Sequence, residues 1–416
     1  MDFAIAPPNR PRWRCHQAAL AIVLLLALPS IARAGLRPQY GGELVVEGPE
    51  SPVAPEPWRA WNPLELVLAD ATSLSLADLG WTPGSSAVEI PADATWPDGT
   101  PLTAQDLTQA LDQAARNAVV SLPDLSFRAD GRTLLIDGAS RLTKLPLFSL
   151  PWLGVSRGGP FAPSTLAAQP GSPARRPYLD QLRVEVRSGR RLDPPADGVL
   201  LTQSGSGGRY VFALVHQGSD AAASVESALA RLNRESLARL FLRGFGRLPS
   251  GWPLPKLERV RPARQTLVIA TDDSERDLRT VAERLQVLLR DRGMSARIVA
   301  EPRDAYFSRL SHGDYDLALV ALPTAPPWVE AATLARLAAG APAAARVWAE
   351  AMAANGATPA RADAPLREVA RQVGAVLLYR EGGAVSVGSR VMMPAPAVPW
   401  RVDLARAWLK PPEAPP

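Results

Sequence analysis

The stretch from Thr266 to Leu322 constrains the fold most, because its apolar residues switch between strand-like runs and helical spacing several times in quick succession. Thr266 to Ala270 reads as a short apolar strand. Leu278, Val281, Ala282, Leu285, Leu288 and Leu289 then recur on one helical face, and the pattern stops at Gly293. Ala296 to Ala300 gives a second strand, a helix near Ala305 to Leu310 stops at Gly313, and Tyr315 to Leu322 gives a third strand. Strands alternating with amphipathic helices predict an α/β fold with a mostly parallel sheet covered on both faces, whose ligands lie outside the carboxyl ends of the strands. Ala-rich helices are expected from Ala331 to Val373, and a β-like run from Gly374 to Val387 follows.

The whole chain has 416 residues, enough for two or three domains. With 47% hydrophobic and 21% charged residues it is neither a disordered nor a polytopic membrane chain. Glu43 to Val46 reads as a short strand. Strand signals are few between Ala60 and Trp96, and Asn62-Pro63 reads as loop. A turn at Asp98-Gly99-Thr100-Pro101 then feeds Thr103 and Asp106, which have the spacing of a capping box, and a helix is expected from Ala104 to Ala118. A turn at Asp130-Gly131 precedes a β-branched run from Thr133 to Ile136. The Pro-, Gly- and Ser-containing stretch from Arg190 to Gly208 reads as the best internal loop.

At the start of the chain, Arg10, Arg12 and Arg14 precede an uninterrupted apolar run from Ala18 to Leu28, and Pro29 leads to Ala32-Arg33-Ala34. That order of basic, apolar and small residues predicts a signal peptide, residues 1–34, cleaved after Ala34. Eleven apolar residues span about 16 Å as a helix, short of the roughly 30 Å hydrocarbon core, so a permanent anchor is not expected. The single cysteine, Cys15, precedes the apolar run, which is the wrong place for a lipid-modified cysteine, and the mature chain has no thiol for a disulfide or a zinc site. The formal charge of +5 includes +3 from residues 1–34, and no block of like charges suggests a nucleic-acid partner.

Residues able to carry catalysis are scarce. His216 and His312 lack metal-ligand spacing, and His312 before Gly313 reads as a turn residue. Gly205-Ser206-Gly207-Gly208 lacks the Lys-Ser/Thr ending of a phosphate loop, so a flexible linker is the simpler reading. Asp272-Asp273 and Asp314-Tyr315-Asp316 read as solvated turns without a calcium-loop pattern. No metal and no catalytic residue is assigned, and an enzyme is not expected.

The run Trp96-Pro97-Asp98-Gly99-Thr100-Pro101-Leu102-Thr103-Ala104-Gln105-Asp106-Leu107 resembles the F-x-D-G-x-P-L-T-A-x-D-V signature of family 5 extracellular solute-binding proteins, the peptide/nickel class that serves ABC importers. Gly158-Gly159-Pro160-Phe161 resembles the family's G-T-G-P-F, Arg176 to Asp180 its G-R-P-Y-L-D, Ala228 to Leu237 its A-L-x-x-A-I-D-R-x-x-L, Gly313 to Leu317 its G-D-F-D-L, and Ala407 to Lys410 a common C-terminal ending. Within the signature, Asp98, Gly99, Pro101, Thr103 and Asp106 form a turn and a capped helix start, so their expected role is structural.

The resemblance implies a two-lobed type II periplasmic-binding-protein fold that closes on ligand by a hinge, with no cofactor. The implied division is a first lobe of residues 35–60, 155–261 and 380–416, a small subdomain of that lobe at 61–154, and a second lobe at 262–379 entered near Pro262 and left near Tyr379. It further implies a monomeric periplasmic protein whose partners are a small-molecule or peptide ligand and an ABC permease/ATPase complex. A sensor or interaction module without transport is the alternative. The family's W-x-x-D, whose aspartate pairs with a peptide's α-ammonium group, is altered here: Leu322 stands for the tryptophan and Ala325 for the acid. Trp328 and Glu330 are the nearest replacements and the expected ligand-binding residues. If neither Glu330 nor another carboxylate replaces that acid, the expected ligand is a capped or modified peptide or a non-peptide solute.

Overall fold

The computed structural model describes residues 41–48, 56–96, 99–155, 181–186, 193–242, 248–252, 254–255, 260–393, 404 and 407–411. The apolar run and its cleavage site, Cys15, Asp98, and the segments at 158–161 and 176–180 lie outside them.

Chain order is β1 (Glu43–Gly48), α1 (Pro63–Thr72), β2 (Ala87–Glu89), α2 (Ala104–Asn117), β3 (Ser126–Asp130), β4 (Thr133–Asp137), β5 (Gln181–Val186), β6 (Gly198–Gly207) and β7 (Tyr210–Val215). It continues with α3 (Ala222–Leu229), α4 (Arg234–Leu242), β8 (Leu267–Asp272), α5 (Arg276–Arg290), β9 (Ala296–Glu301), α6 (Arg303–His312) and β10 (Leu317–Leu322). The last elements are α7 (Pro327–Ala339), α8 (Ala341–Ala353), α9 (Ala364–Gln372), β11 (Ala375–Arg380), β12 (Gly383–Val387), β13 (Val391–Met392) and β14 (Trp408–Leu409).

The strand–helix alternation is present as expected. A five-stranded sheet runs β11-β7-β10-β8-β9, with β8, β9 and β10 parallel and β7 antiparallel to both β10 and β11. Residues alternate between its two faces. Val211, Ala213, Ile269, Leu319 and Leu378 pack with α3, α4 and α5, whereas Phe212, Leu214, Ala270, Val320 and Leu377 pack with α6 to α9. The helix α6 ends at Gly313, whose φ of 72° is left-handed, so His312 is its last residue.

A second sheet runs β12-β6-β1-β5, with β1 parallel to β5 and β6, and β6 antiparallel to β12. Gly198–Gly207 is therefore a strand and not the loop or linker its composition suggests. Val199 and Leu201 are buried in the core under this sheet, and ladder hydrogen bonds use backbone groups, so the small polar tail can still be paired. The third sheet, β2-β4-β3, pairs antiparallel and packs with α2.

The region with few strand signals holds a helix instead. Asn62 accepts a hydrogen bond from the Glu65 N–H at 2.9 Å, the Glu65 carboxylate accepts from the Asn62 N–H at 3.2 Å, and Pro63 is the first helical residue. Those are start signals for a helix that read as a turn when taken alone. This helix, α1, packs Leu64, Val67 and Leu68 under the second sheet, while Leu66 and Ala69 join the larger core.

Two features depart from the expected division of the chain. Strand β7 lies inside residues 155–261 yet pairs Leu322 with Tyr210 and Leu317 with Val215, so it belongs to the same sheet as residues 267–322. The backbone thus passes from the second sheet to the first at Gly208–Arg209 and returns at Glu381–Gly382, with Pro262 well inside the five-stranded part. The larger core is also continuous from Trp61 through Val155 to α7, α8 and α9. Across that boundary Thr333 Oγ1 accepts from the Ser121 N–H at 2.9 Å, Trp348 Nε1 donates to Ser121 Oγ at 3.2 Å, and Asn355 accepts from the Thr143 and Lys144 N–H groups.

Candidate functional site

The carboxyl ends of β8, β10 and β11 and the start of β7 lie together, because Tyr210 is opposite both Leu322 and Arg380. Open α/β sheets bind ligands at this edge. Two arginine centred clusters are buried beside it. Arg303, at the start of α6, donates to Glu65 at 2.7 Å, to Asp272 at 3.0 Å and to Ser274 Oγ at 2.9 Å. Arg209 donates to Glu275 at 2.7 Å and to Glu381 at 2.9 Å. Burial raises the Asp272 and Glu381 carboxyls above their usual range, against the opposing pull of Arg303 and Arg209. Asp272, expected in a solvated turn, is 1% exposed because it is needed as a counter-ion for Arg303. Asp316 likewise has a structural task, accepting from the Val268 N–H at 2.8 Å.

The two passages between sheets are locked to each other here. The Glu381 N–H donates to the Arg209 carbonyl at 2.9 Å. Any side chain on Gly208 would start 1.9 Å from the Glu381 carbonyl oxygen, so only glycine fits.

Above these clusters lies an aromatic group. Tyr210 and Trp252 have ring centroids 5.7 Å apart, Trp252 and Phe212 5.6 Å, and the Arg380 guanidinium carbon sits 4.7 Å from the centre of the Tyr210 ring. Arg367 lies 5.2 Å from the centre of the Trp252 ring, and it also holds Asp363 at 2.6 Å. Burial pushes the Tyr210 phenol up to about 12.

The residues expected to bind ligand have other partners. Trp328 is 7% exposed, packs in the larger core and donates its Nε1 hydrogen to the Ala357 carbonyl at 2.9 Å. Glu330 is buried in the first turn of α7 and accepts from the Ala325 N–H at 3.2 Å. Burial pushes its carboxyl up to about 8, against the Ala325 hydrogen bond and the Arg380 charge. At neutral pH it is mostly protonated and does not offer the negative charge of an ammonium clamp. The signature residues sit elsewhere, as a turn and helix start. Thr103 accepts from the Asp106 N–H at 3.1 Å and Asp106 from the Thr103 N–H at 3.2 Å. Gly99 has a left-handed φ of 82°, and Pro101 bridges to Thr95. Trp252 and Arg380 carry no motif, and they meet Tyr210 across 42 and 170 residues of chain, separations that no local spacing reveals. Among the described residues, no group of three or more acidic, histidine or cysteine side chains could hold a metal ion, and no helix is long and apolar enough to cross a membrane.

No protein-family model matches the sequence, and no curated protein matches it. Solved structures do. The peptide-bound OppA of Listeria monocytogenes is similar with a TM-score of 0.59 at 13% identity, covering 89% of this chain and 99% of that one. The oligopeptide-binding protein AppA of Bacillus subtilis, in complex with a nonapeptide, gives 0.57 at 14%, covering 90% and 100%. NikA of Brucella suis, in complex with Fe(III)-EDTA, gives 0.55 at 12%, covering 89% and 100%. At these identities the likeness is one of architecture, and along nearly its whole described length the chain has the two-lobed α/β fold of the solute-binding proteins that its motifs resemble.

Proposed function

We propose that the chain is an exported, monomeric solute-binding protein that holds a small polar or peptide-like solute between two lobes and presents it to an ABC importer. The lobes in this reading are the second sheet with its helix α1 on one side and residues 210–380 on the other, with the hinge at 208–209 and 381–382. The observation that carries the reading is the carboxyl edge of the five-stranded sheet. There two aromatic rings and a half-buried arginine gather beside the only two backbone passages between the sheets seen in the described residues. A ligand at that place touches the elements whose relative position a hinge would change, and closure then follows from tighter binding to the closed state.

Native mass spectrometry of the protein purified without denaturation tests this. A stoichiometric small molecule released on unfolding is the expected result. A protein that carries no solute and gains no thermal stability from its own organism's culture medium extract sinks the reading. The alternative, a sensor or interaction module without transport, draws on the continuous apolar core between residues 61–155 and α7 to α9, which resists separation.

A further inference from the structure

We infer that Tyr210, Trp252 and Arg380 form a subsite for a carboxylate-bearing solute, with the Arg380 guanidinium as its counter-ion. The inference rests on the solute-binding reading and adds the chemical class of the ligand.

Arg380 differs from its neighbours in charge balance. Arg209 holds Glu275 and Glu381, Arg303 holds Glu65 and Asp272, and Arg367 holds Asp363. Arg380 has no carboxylate partner among the described residues. Among the described residues its one side-chain hydrogen bond is a long one, from Nε to the Gly208 carbonyl at 3.5 Å, and its charge otherwise rests on the face of Tyr210. It is half-buried, so the missing partner matters more than for an arginine in open water.

A second, independent group points the same way. Trp252 is 5% exposed and packs on Tyr210, yet its Nε1 hydrogen has no acceptor among the described residues. A buried donor without a partner has given up its bond to water for nothing in return. Nearly every indole in a protein interior avoids that cost, as Trp152 does here by donating to the Ala60 carbonyl.

The remaining ionisable group is also a donor. Glu330 is close enough to feel the Arg380 charge but makes no ion pair with it among the described residues, burial keeps it mostly protonated at neutral pH, and the Tyr210 phenol keeps its hydrogen. Asp363 is already bound by Arg367 and Arg361. The cluster therefore offers a guanidinium, an indole N–H and a phenol, and among the described residues no unpaired anion. An ammonium group finds no counter-ion there. A carboxylate finds a cation and hydrogen-bond donors, and a planar group attached to it could stack on the rings.

Calorimetry at pH 7 with two matched pairs tests the inference: benzoate against benzamide, and N-acetyl-dialanine against its C-terminal amide. At least one acid is expected to bind more than tenfold tighter than its amide, or roughly 1.4 kcal/mol. Arg380→Gln should abolish that preference. Trp252→Phe keeps an aromatic ring but deletes the donor together with the five-membered half of the indole, and should weaken the acid about threefold to tenfold more than it weakens the amide. Equal binding of acid and amide, no binding of either acid, or a preference that survives Arg380→Gln overturns the inference. Should Arg380→Gln not fold, the Trp252→Phe result decides alone. An amide that binds as well as its acid, or a retained solute without an acidic group, refutes the carboxylate assignment while leaving solute capture intact, whereas the mass-spectrometric failure described above refutes solute capture itself.

Discussion

Three buried carboxyl positions set the behaviour of single residues here, and they differ in whether a cation meets them. Asp272 and Glu381 each face an arginine at 3.0 Å or less, and deleting that arginine leaves a charge buried without a partner, typically 3 to 5 kcal/mol. Glu330 has only a backbone N–H. Its folded pKa, about 8, lies above the ordinary glutamate value, so the folded state holds a proton that the unfolded chain has lost. Its contribution to stability is therefore complete below about pH 4.5 and declines as pH rises toward 8, by up to about 1.4 kcal/mol per unit in that window. Glu330→Gln is expected to flatten this decline and to be more stable than the parent at pH 8, as denaturant titrations at pH 5 and pH 8 will show; an identical pH slope in the two proteins contradicts the burial argument. The position was visible in the sequence only through its closeness to an altered motif. Its state depends on burial by α7 and the loop before it, which no residue pattern encodes.

At the scale of elements, two helices start with the same device and one of them was legible. Thr103 and Asp106 follow a turn motif and precede a clear apolar stripe, whereas Asn62 and Glu65 precede a helix buried on two sides, where apolar residues surround the axis and the amphipathic period fades. The strand β6 was missed for the opposite reason, since its ladder partners lie far along the chain and its Gly- and Ser-rich half carries no pattern at all. Glu65 is at once a cap and a counter-ion of Arg303, so disturbing its cap disturbs a buried pair. Asn62→Ala should cost about 2 kcal/mol and Thr103→Ala about 1 kcal/mol or less, read as shifts in unfolding midpoint. Gly208→Ala is a harsher test of the paired passages. With 1.9 Å between the new Cβ and the Glu381 carbonyl oxygen, it is expected to break the Arg209–Glu381 contact and lower the melting temperature by several degrees.

For the molecule as a whole, the sequence pattern disclosed the covered parallel sheet but not how distant regions share one core. Ser121 meets Thr333 and Trp348 at separations of 212 and 227 residues, and Gly356 would hold any side chain only 3.0 Å from Leu145. The consequence concerns synthesis. At roughly 5 to 20 residues per second, α7 and α8 leave the ribosome about 10 to 40 seconds after the loop that they cover. During that interval Ser121 lacks the Thr333 and Trp348 partners that it has in the folded chain, and the larger core lacks its share from α7 and α8. A fragment ending at Pro326 is therefore expected to aggregate or bind a hydrophobic dye, while the full chain does neither; a soluble, dye-silent fragment would mean that the early region buries its surface by itself. Aggregation of that fragment would mean that the first third of the nascent chain depends on a chaperone, or on being kept unfolded, until the late helices arrive.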